Sequence, residues 1–500
     1  MNIIEAMDDP GVFQPWFAGA SWDAWKAVLR AAFALPMSEA DLATFARLAG
    51  GRKPPERRVR ELWIVAGRRS GKDSIASGLA AWSAGIEQGH VGKLRPGELA
   101  SVLCLACDRD QSRIVKGYAD SYFTAIPELG GMKIRETRTG LELDNGAEIV
   151  IATNSYRQAR GRTILFAIFD ECAFWRDESS ATPDIETYRA ILPALATLPD
   201  AMLVGISSPY RKAGLLYDRW KAFYGQDDDR VLVIQAESIE LNPTLDPALI
   251  AEALAADPAA ARAEWLGQFR DDIAGFLDIE LIEGAVDRAV IVRPPRPGLA
   301  YVGYVDAASG VGKDSFAAAV AHREGEEVIV DLAHEIRPPF NPQTATAEVA
   351  ELFKSYNIGK VNGDKYSAGY NIEAFAKCGI TYEYSERDTS QNYIETIQLF
   401  TSGRVRLVDN KRLVAQFAGL ERRTSVAGRD RVDHGPNANS HDDISAAVAG
   451  VVAILATKKV PVKITPEMIA QISAFGRGER ARAQFERAGD RRLYGFGGFG

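Results

Sequence analysis

Five hundred residues, 46% hydrophobic and 25% charged, give enough chain for roughly two to four soluble globular domains. A net charge of −8 excludes a globally basic, histone-like binder, while leaving room for nucleic acid on local basic tracks. The four cysteines suit a reducing cytosol, and the Cys104/Cys107 pair, lying in an apolar run with no second pair at zinc-ribbon spacing, reads as buried thiols.

Met1–Pro10 is acidic and lacks an apolar core segment, so no signal peptide is expected, and no apolar run reaches the ~18–20 residues of a membrane span. Trp16–Leu35 carries aromatic and Ala residues at helical spacing, and Ser38–Leu48 continues as helix. From Glu61 to about Gln235, apolar runs alternate with helical stretches. The predicted strands are Leu62–Ala66, Ser101–Ala106, Glu148–Ala152, Ile164–Phe169, Ala201–Ile206 and Val231–Gln235, with a hairpin at Asp144-Asn145-Gly146. That alternation predicts an α/β fold: a parallel sheet with helices on both faces. Asn242–Phe269 reads as helix, and Arg293–Pro297 as a stiff connector. Beyond it, strands Tyr301–Asp306, Phe316–His322 and Glu327–Ile336 precede helix Thr344–Tyr356, strand Lys360–Gly363 and helix Asn371–Ala376, the order of an RNase H-like sheet. Asp442–Ala456 is a further helix. The expected divisions are a helical segment 1–60, a P-loop NTPase domain 61–272, a linker 273–298, an RNase H-like domain 299–458, and a flexible Arg-rich tail 459–500.

Gly-Lys-Asp-Ser occurs twice, at Gly71–Ser74 and Gly312–Ser315, in two contexts. The first copy follows an apolar strand and opens a helical stretch, Ile75–Ile86, the setting in which backbone N–H groups and a helix N-terminus cradle phosphate. The loop Gly67-Arg68-Arg69-Ser70-Gly71-Lys72-Asp73-Ser74 departs twice from G-x-x-x-x-G-K-[ST]: Ala66 holds the first glycine position, and Asp73 the position of the Mg²⁺-binding hydroxyl, with Ser74 one place late. Lys72 supplies a point charge for the β/γ-phosphates. Ile164–Phe169 ends in Asp170, placed to hold Mg²⁺ with ATP, and Glu171, placed to polarise the attacking water. Arg160 and Arg162 precede this strand, and either is a candidate for a guanidinium acting on a neighbouring subunit's γ-phosphate. Ser207 and Ser208 end a strand where a γ-phosphate sensor belongs.

The second Gly-Lys-Asp-Ser reads as a hairpin connection. Asp306 ends the strand before it, Asp364 ends a later strand, and Asp442 and Asp443 open the late helix. Acids so placed converge in an RNase H-like fold and hold two divalent ions, Mg²⁺ or Mn²⁺, that activate water and stabilise the leaving oxygen of a phosphodiester. Asp314 is an auxiliary-ligand candidate, and His434 and His441 read as loop histidines near the site.

With an ATPase followed by a nuclease, over about residues 60–455, the chain resembles the large terminase subunit of tailed bacteriophages and related prophages or gene-transfer particles. The resemblance rests on Gly67–Ser74, Ile164–Glu171, Ser207-Ser208, and Asp306, Asp364, Asp442 and Asp443. It implies a viral genome-packaging motor: ATP-driven translocation of double-stranded DNA into a procapsid, and metal-dependent endonuclease cutting of concatemeric DNA. It further implies a portal protein and a small terminase subunit as partners, a homo-oligomeric ring on the procapsid, and residence in the host bacterial cytoplasm. It matches Arg68 to the family's phosphate-loop arginine, favours Arg160 as the trans-acting arginine, gives Ser207-Ser208 the coupling role, and leaves both Asp442 and Asp443 open as the late-helix acid. Two alternatives stand beside it: another P-loop enzyme of the helicase-nuclease or transposition type, and a catalytically degenerate scaffold for DNA or the portal.

Overall fold

In the computed structural model the described residues are all but 108, 138, 154–160, 176–182, 366–367, 425–429, 436–440 and 458–500. The first sheet contains β1 (Glu61–Ala66), β2 (Ala100–Ala106), β3 (Lys133–Thr137), β4 (Gly140–Leu143), β5 (Ala147–Thr153), β6 (Thr163–Asp170), β7 (Met202–Ser207) and β8 (Val231–Ala236), in the order β3-β4-β5-β2-β6-β7-β1-β8. From β5 to β8 every pairing is parallel, and β3 and β4 add an antiparallel edge. β1, β2, β6 and β7 are buried along their whole length, which is why they read as unbroken apolar runs rather than alternating ones. Trp63 on β1 faces Gly205 on β7, and a Cβ at Gly205 would lie 2.2 Å from the indole ring. Only glycine leaves room for that ring in the sheet.

Two expected helices are interrupted. Trp16–Leu35 splits into helices Gln14–Phe17 and Asp23–Ala32, because Gly19 turns the backbone at φ 90° between them. Asn242–Phe269 splits into Pro247–Ala256 and Pro258–Leu266, because Pro258 disfavours helical backbone at Asp257. Asp257 is extended, and its carboxylate caps the second helix at the Ala259 and Ala260 N–H groups. The helix after the phosphate loop runs Lys72–Ala81 and continues as a π-helical turn, Trp82–Glu87.

The next strand, β9 (Ile273–Gly275), and helix Ile279–Gly284 fall in the segment 273–298. The second large sheet follows: β10 (Tyr301–Asp306), β11 (Phe316–Glu324), β12 (Glu327–Ile336), β13 (Lys360–Gly363), β14 (Thr381–Tyr384) and β15 (Val405–Arg406), ordered β14-β13-β10-β11-β12-β15. β10, β11 and β12 form an antiparallel meander, and β13 and β14 extend it in parallel from β10. This is the RNase H-like arrangement. β16 (Leu420–Thr424) and β17 (Asp430–His434) make a hairpin whose first strand also pairs antiparallel with β9, giving a separate three-stranded sheet. The fold is thus α/β, a parallel-rich sheet followed by an RNase H-like one.

The chain divides into a compact unit, Met1–Leu455, and a second, Ala456–Gly500, of which only Ala456 and Thr457 are described. The Arg-rich tail lies outside the described residues. Among the described residues no helix is long and apolar enough to cross a membrane.

Candidate functional site

The phosphate loop leaves β1 at Ala66 and enters its helix at Lys72. Ala66 pairs with Ala236 inside the sheet, so the glycine is needed one residue later: a Cβ on Gly67 would lie 2.2 Å from the Ser238 hydroxyl and 2.7 Å from the Trp265 carbonyl. Gly71 has φ +92°, a left-handed conformation that opens the helix with glycine's freedom. The loop is tied down from three sides. The Trp25 indole N–H donates to the Ser70 carbonyl (2.7 Å), the Asn242 side-chain amide to the Arg69 carbonyl (2.7 Å), and the Arg68 N–H to the Glu264 carbonyl (2.5 Å). The Arg68 guanidinium pairs with the Glu264 carboxylate at 3.2 Å.

A cavity of about 630 Å³ opens over this loop, within the usual range for small-ligand sites. All of Arg68 to Ser74 line it, together with Glu171 and Ser208. Because β7 lies between β1 and β6, its tip sits between the loop lysine and the acidic strand end. The Lys72 ammonium donates to the Ser208 hydroxyl (2.7 Å) and to the Ala66 and Gly67 carbonyls (3.2 and 3.3 Å), and pairs with Glu171 at 3.3 Å. Glu171, held at φ +48°, accepts from the Ser207 hydroxyl (3.0 Å) and the Ser208 N–H (3.1 Å).

Asp170 is buried at 1% exposure, and neither carboxylate oxygen accepts a hydrogen bond of ordinary geometry. Burial, then the charges of Glu171 and Asp73, push its pKa well above the usual carboxylate range, against Gln111 and Lys72. Asp73 is raised by burial and then by Glu171, with Lys72 and Arg69 opposing. A buried, unsatisfied carboxylate beside two further acids fits a divalent cation arriving with nucleotide. Arg162 is engaged within the chain, paired with Glu148, and Arg160 lies outside the described residues.

In the second site Val305 pairs with Gly363, so the next residues on the two parallel strands, Asp306 and Asp364, stand side by side. A cavity of about 820 Å³ is lined by Asp306, Asp364 and Asp442, with Asp388, Asp430, Asp433 and His434 around them. Asp306 is raised well above the carboxylate range, first by burial and then by Asp443, Asp442, Asp364 and Asp314. The predicted acids therefore gather around Asp306. Asp442 faces the cavity and accepts from the Tyr393 hydroxyl (3.1 Å). Asp443, only 6% exposed, turns to the Ser315 N–H (3.0 Å), although it is the stronger electrostatic neighbour of Asp306. The two open candidates thus differ in what they face. Asp314 is 76% exposed on its side chain and stands 3.8 Å from His441. The loop carrying it joins the antiparallel β10 and β11, in keeping with a hairpin connection.

His434 stands on β17 rather than in a loop. Burial lowers its pKa, but the Gly435 carbonyl and the charges of Asp442, Asp433 and Asp314 raise it on balance. Asp388, Asp430 and Asp433 were not anticipated. Asp430-Arg431-Val432-Asp433-His434 has a single apolar residue and carries no strand periodicity. Asp388 caps helix Thr389–Thr401, with Gln391 completing a capping box, a readable start signal. Among the described residues no group of three or more His, Cys, Asp or Glu side chains stands ready-made as a metal cluster. Cys104 is buried with its thiol pushed up to about 12, whereas Cys107 is only half-buried and lines the first cavity.

No protein-family model matches the sequence, and no curated protein matches it. Among solved structures the chain is similar to the HK97 bacteriophage large terminase at TM-score 0.37 and 15% identity, over 87% of this chain and 99% of that one. It is similar to the large terminase of a thermophilic bacteriophage in complex with ADP at TM-score 0.35 and 10% identity, over 87% and 98%. It is also similar to the large terminase nuclease from thermophilic phage G20c with bound magnesium at TM-score 0.30 and 16% identity, over 35% and 95%. At such scores and identities the likeness assigns neither residue roles nor activity.

Proposed function

We propose that the protein is an ATP-driven DNA-packaging motor with its own endonuclease, of the large-terminase type. The observation that carries this reading is the meeting of Lys72, Glu171 and Ser208 beside neighbouring strand ends, in a chain that holds a second, aspartate-rich cavity on an RNase H-like sheet.

In the first site ATP is the substrate. Loop N–H groups and Lys72 bind its phosphates, Arg68 and Arg69 flank them, and Asp73, Ser74 and the buried Asp170 would hold the accompanying Mg²⁺. Glu171 orients the attacking water and takes its proton. When phosphate draws Lys72 away from Ser208, the Ser207-Ser208 tip is released to follow Glu171, which gives a strand-level signal of nucleotide state. Arg160 serves a neighbouring copy in a homo-oligomeric ring.

In the second site the all-oxygen donor set of Asp306, Asp364 and Asp442 suits hard divalent ions, with Asp443 and Asp314 behind it. Side-chain rotation would bring these carboxylates together. Bound there, Mg²⁺ or Mn²⁺ supplies charge neutralisation and water activation for phosphodiester hydrolysis. The chain's part is to pre-place the carboxylates on adjacent strand ends and to hold Asp442 through Tyr393. Double-stranded DNA is moved by ATP hydrolysis at the first site and cut at the second. The portal protein, the small terminase subunit and the host cytoplasm complete the setting.

The test is DNA packaging into purified procapsids by the full chain with ATP and Mg²⁺, alongside cleavage of plasmid DNA. ATP hydrolysis and cleavage without protection of DNA inside procapsids would assign the chain to another DNA enzyme. Absence of both activities would make it a scaffold.

A further inference from the structure

Two residues after the sensor serines, Tyr210 leaves the first sheet and meets the hairpin that walls the acid cavity. Its hydroxyl donates to the Glu421 carboxylate at 2.6 Å across 211 residues, and both side chains are buried, Tyr210 at 7% and Glu421 at 0% exposure. Arg423 also reaches Glu421 at 3.3 Å.

Each end of this contact is continuous with one site. On the nucleotide side, Ser208-Pro209-Tyr210 is covalent, and the Tyr210 ring packs on Phe174 with centroids 5.2 Å apart. Phe174 lines the nucleotide cavity, three residues beyond Glu171. On the acid side, Glu421 pairs directly with Asp433 and its neighbour Leu420 with His434 across β16 and β17, and both Asp433 and His434 line the acid cavity. The Val432 N–H donates to the Ser390 hydroxyl (2.8 Å), joining β17 to another lining residue. The base of β16 is fixed to β9, and the Arg270 N–H donates to the Tyr210 carbonyl (2.7 Å), so Tyr210 bridges elements that are already tied.

We propose that Tyr210 and Glu421 are a positioning pair through which the nucleotide site sets the β17 wall of the acid cavity, so that DNA cleavage responds to the nucleotide held at Lys72. The inference rests on the motor-nuclease reading above. A buried carboxylate does not readily exchange its hydroxyl partner for water, so a shift of the β7 tip must be followed by β16 or cost the pair this buried hydrogen bond. Packed elements of this kind shift between discrete arrangements rather than deforming smoothly. Neither residue touches the reacting groups.

The experiment measures plasmid cleavage by the full chain in Mn²⁺ without nucleotide, with ADP, and with a non-hydrolysable ATP analogue. In the unaltered protein the cleavage rate changes by about fivefold or more between these states. Tyr210→Phe, which keeps the ring on Phe174, brings that ratio close to one while ATP hydrolysis stays at its original rate. Glu421→Gln, which can still accept from Tyr210, retains part of the ratio. An unchanged ratio in Tyr210→Phe overturns the proposal, as does cleavage that ignores nucleotide in the unaltered protein. Loss of both activities together with a lower melting temperature in both variants also overturns it, in favour of a plain structural brace. Failure of the unaltered chain to hydrolyse ATP or to cut DNA would instead sink the motor-nuclease reading.

Discussion

The Lys72 ammonium and the Ser208 hydroxyl lie 2.7 Å apart across 136 residues of chain. The lysine proposed to bind phosphate is therefore already engaged by the strand tip that also holds Glu171. Nucleotide has to compete with that contact, which makes occupancy of the loop felt at β7.

Glu171→Ala removes the water-orienting carboxylate and the acceptor of Ser207 and Ser208. ATP turnover is expected to fall by about 100-fold or more, while metal-dependent DNA cleavage continues. Steady-state phosphate release and plasmid nicking on the same preparation decide it, and turnover at the original rate would remove Glu171 from its role.

Asp306→Ala should have the opposite profile. Cleavage is lost and ATP hydrolysis persists, because Asp306 sits at the centre of the acid group and far along the chain from the phosphate loop. Unchanged nicking would dismiss the nuclease assignment.

Asp443 carries a pH signature. Burial, then the Asp442 charge, lift it from 3.8 to about 6 against the Ser315 N–H. The fold thus favours its protonated form. The associated stability is present below about pH 4 and is lost as pH rises through about 6, a change of about 3 kcal/mol. In chelator, the melting temperature of Asp443→Asn should match the parent near pH 4 and exceed it at pH 7. A pH-independent difference would contradict the raised value.

Mn²⁺ added to the nucleotide-free protein should raise the melting temperature in proportion to the logarithm of its concentration once the site is saturated. Asp364→Asn should abolish most of that rise. An equal rise in the variant would place the ion elsewhere.

Gly205→Ala tests the first sheet. The added methyl meets the Trp63 ring at 2.2 Å in a fully buried strand pair, and an expected loss of about 1–3 kcal/mol follows from overpacking. Urea denaturation reads it directly.

The strands of the first site were legible for one physical reason: β1, β2, β6 and β7 are covered on both faces and need apolar residues at every position. Asp170 announces itself as a carboxylate at the end of such a run, whereas Asp306 and Asp364 are read from the order of shorter, partly exposed strands. Leu420–Thr424 and Asp430–His434 are short, charged strands whose partner β9 lies far earlier in the chain, so no local periodicity marks them. Asp430, Asp433 and the Tyr210–Glu421 contact were hidden with them. The helix break at Asp257-Pro258 was written in an ordinary cap signal, and overall Ala-rich composition masked it.

The aromatic residues of the first helices have a use beyond packing. Trp25 holds the Ser70 carbonyl, and the Trp22 ring sits within 3.0 Å of where a side chain on Gly71 would begin. The residues ahead of β1 thus act as a splint for the phosphate loop. A chain beginning at β1 would keep the strands that define the sheet but would have to freeze its loop at the moment of binding. The ordering entropy would then come out of nucleotide affinity, and these leading helices would show their worth in a dissociation constant rather than in a fold.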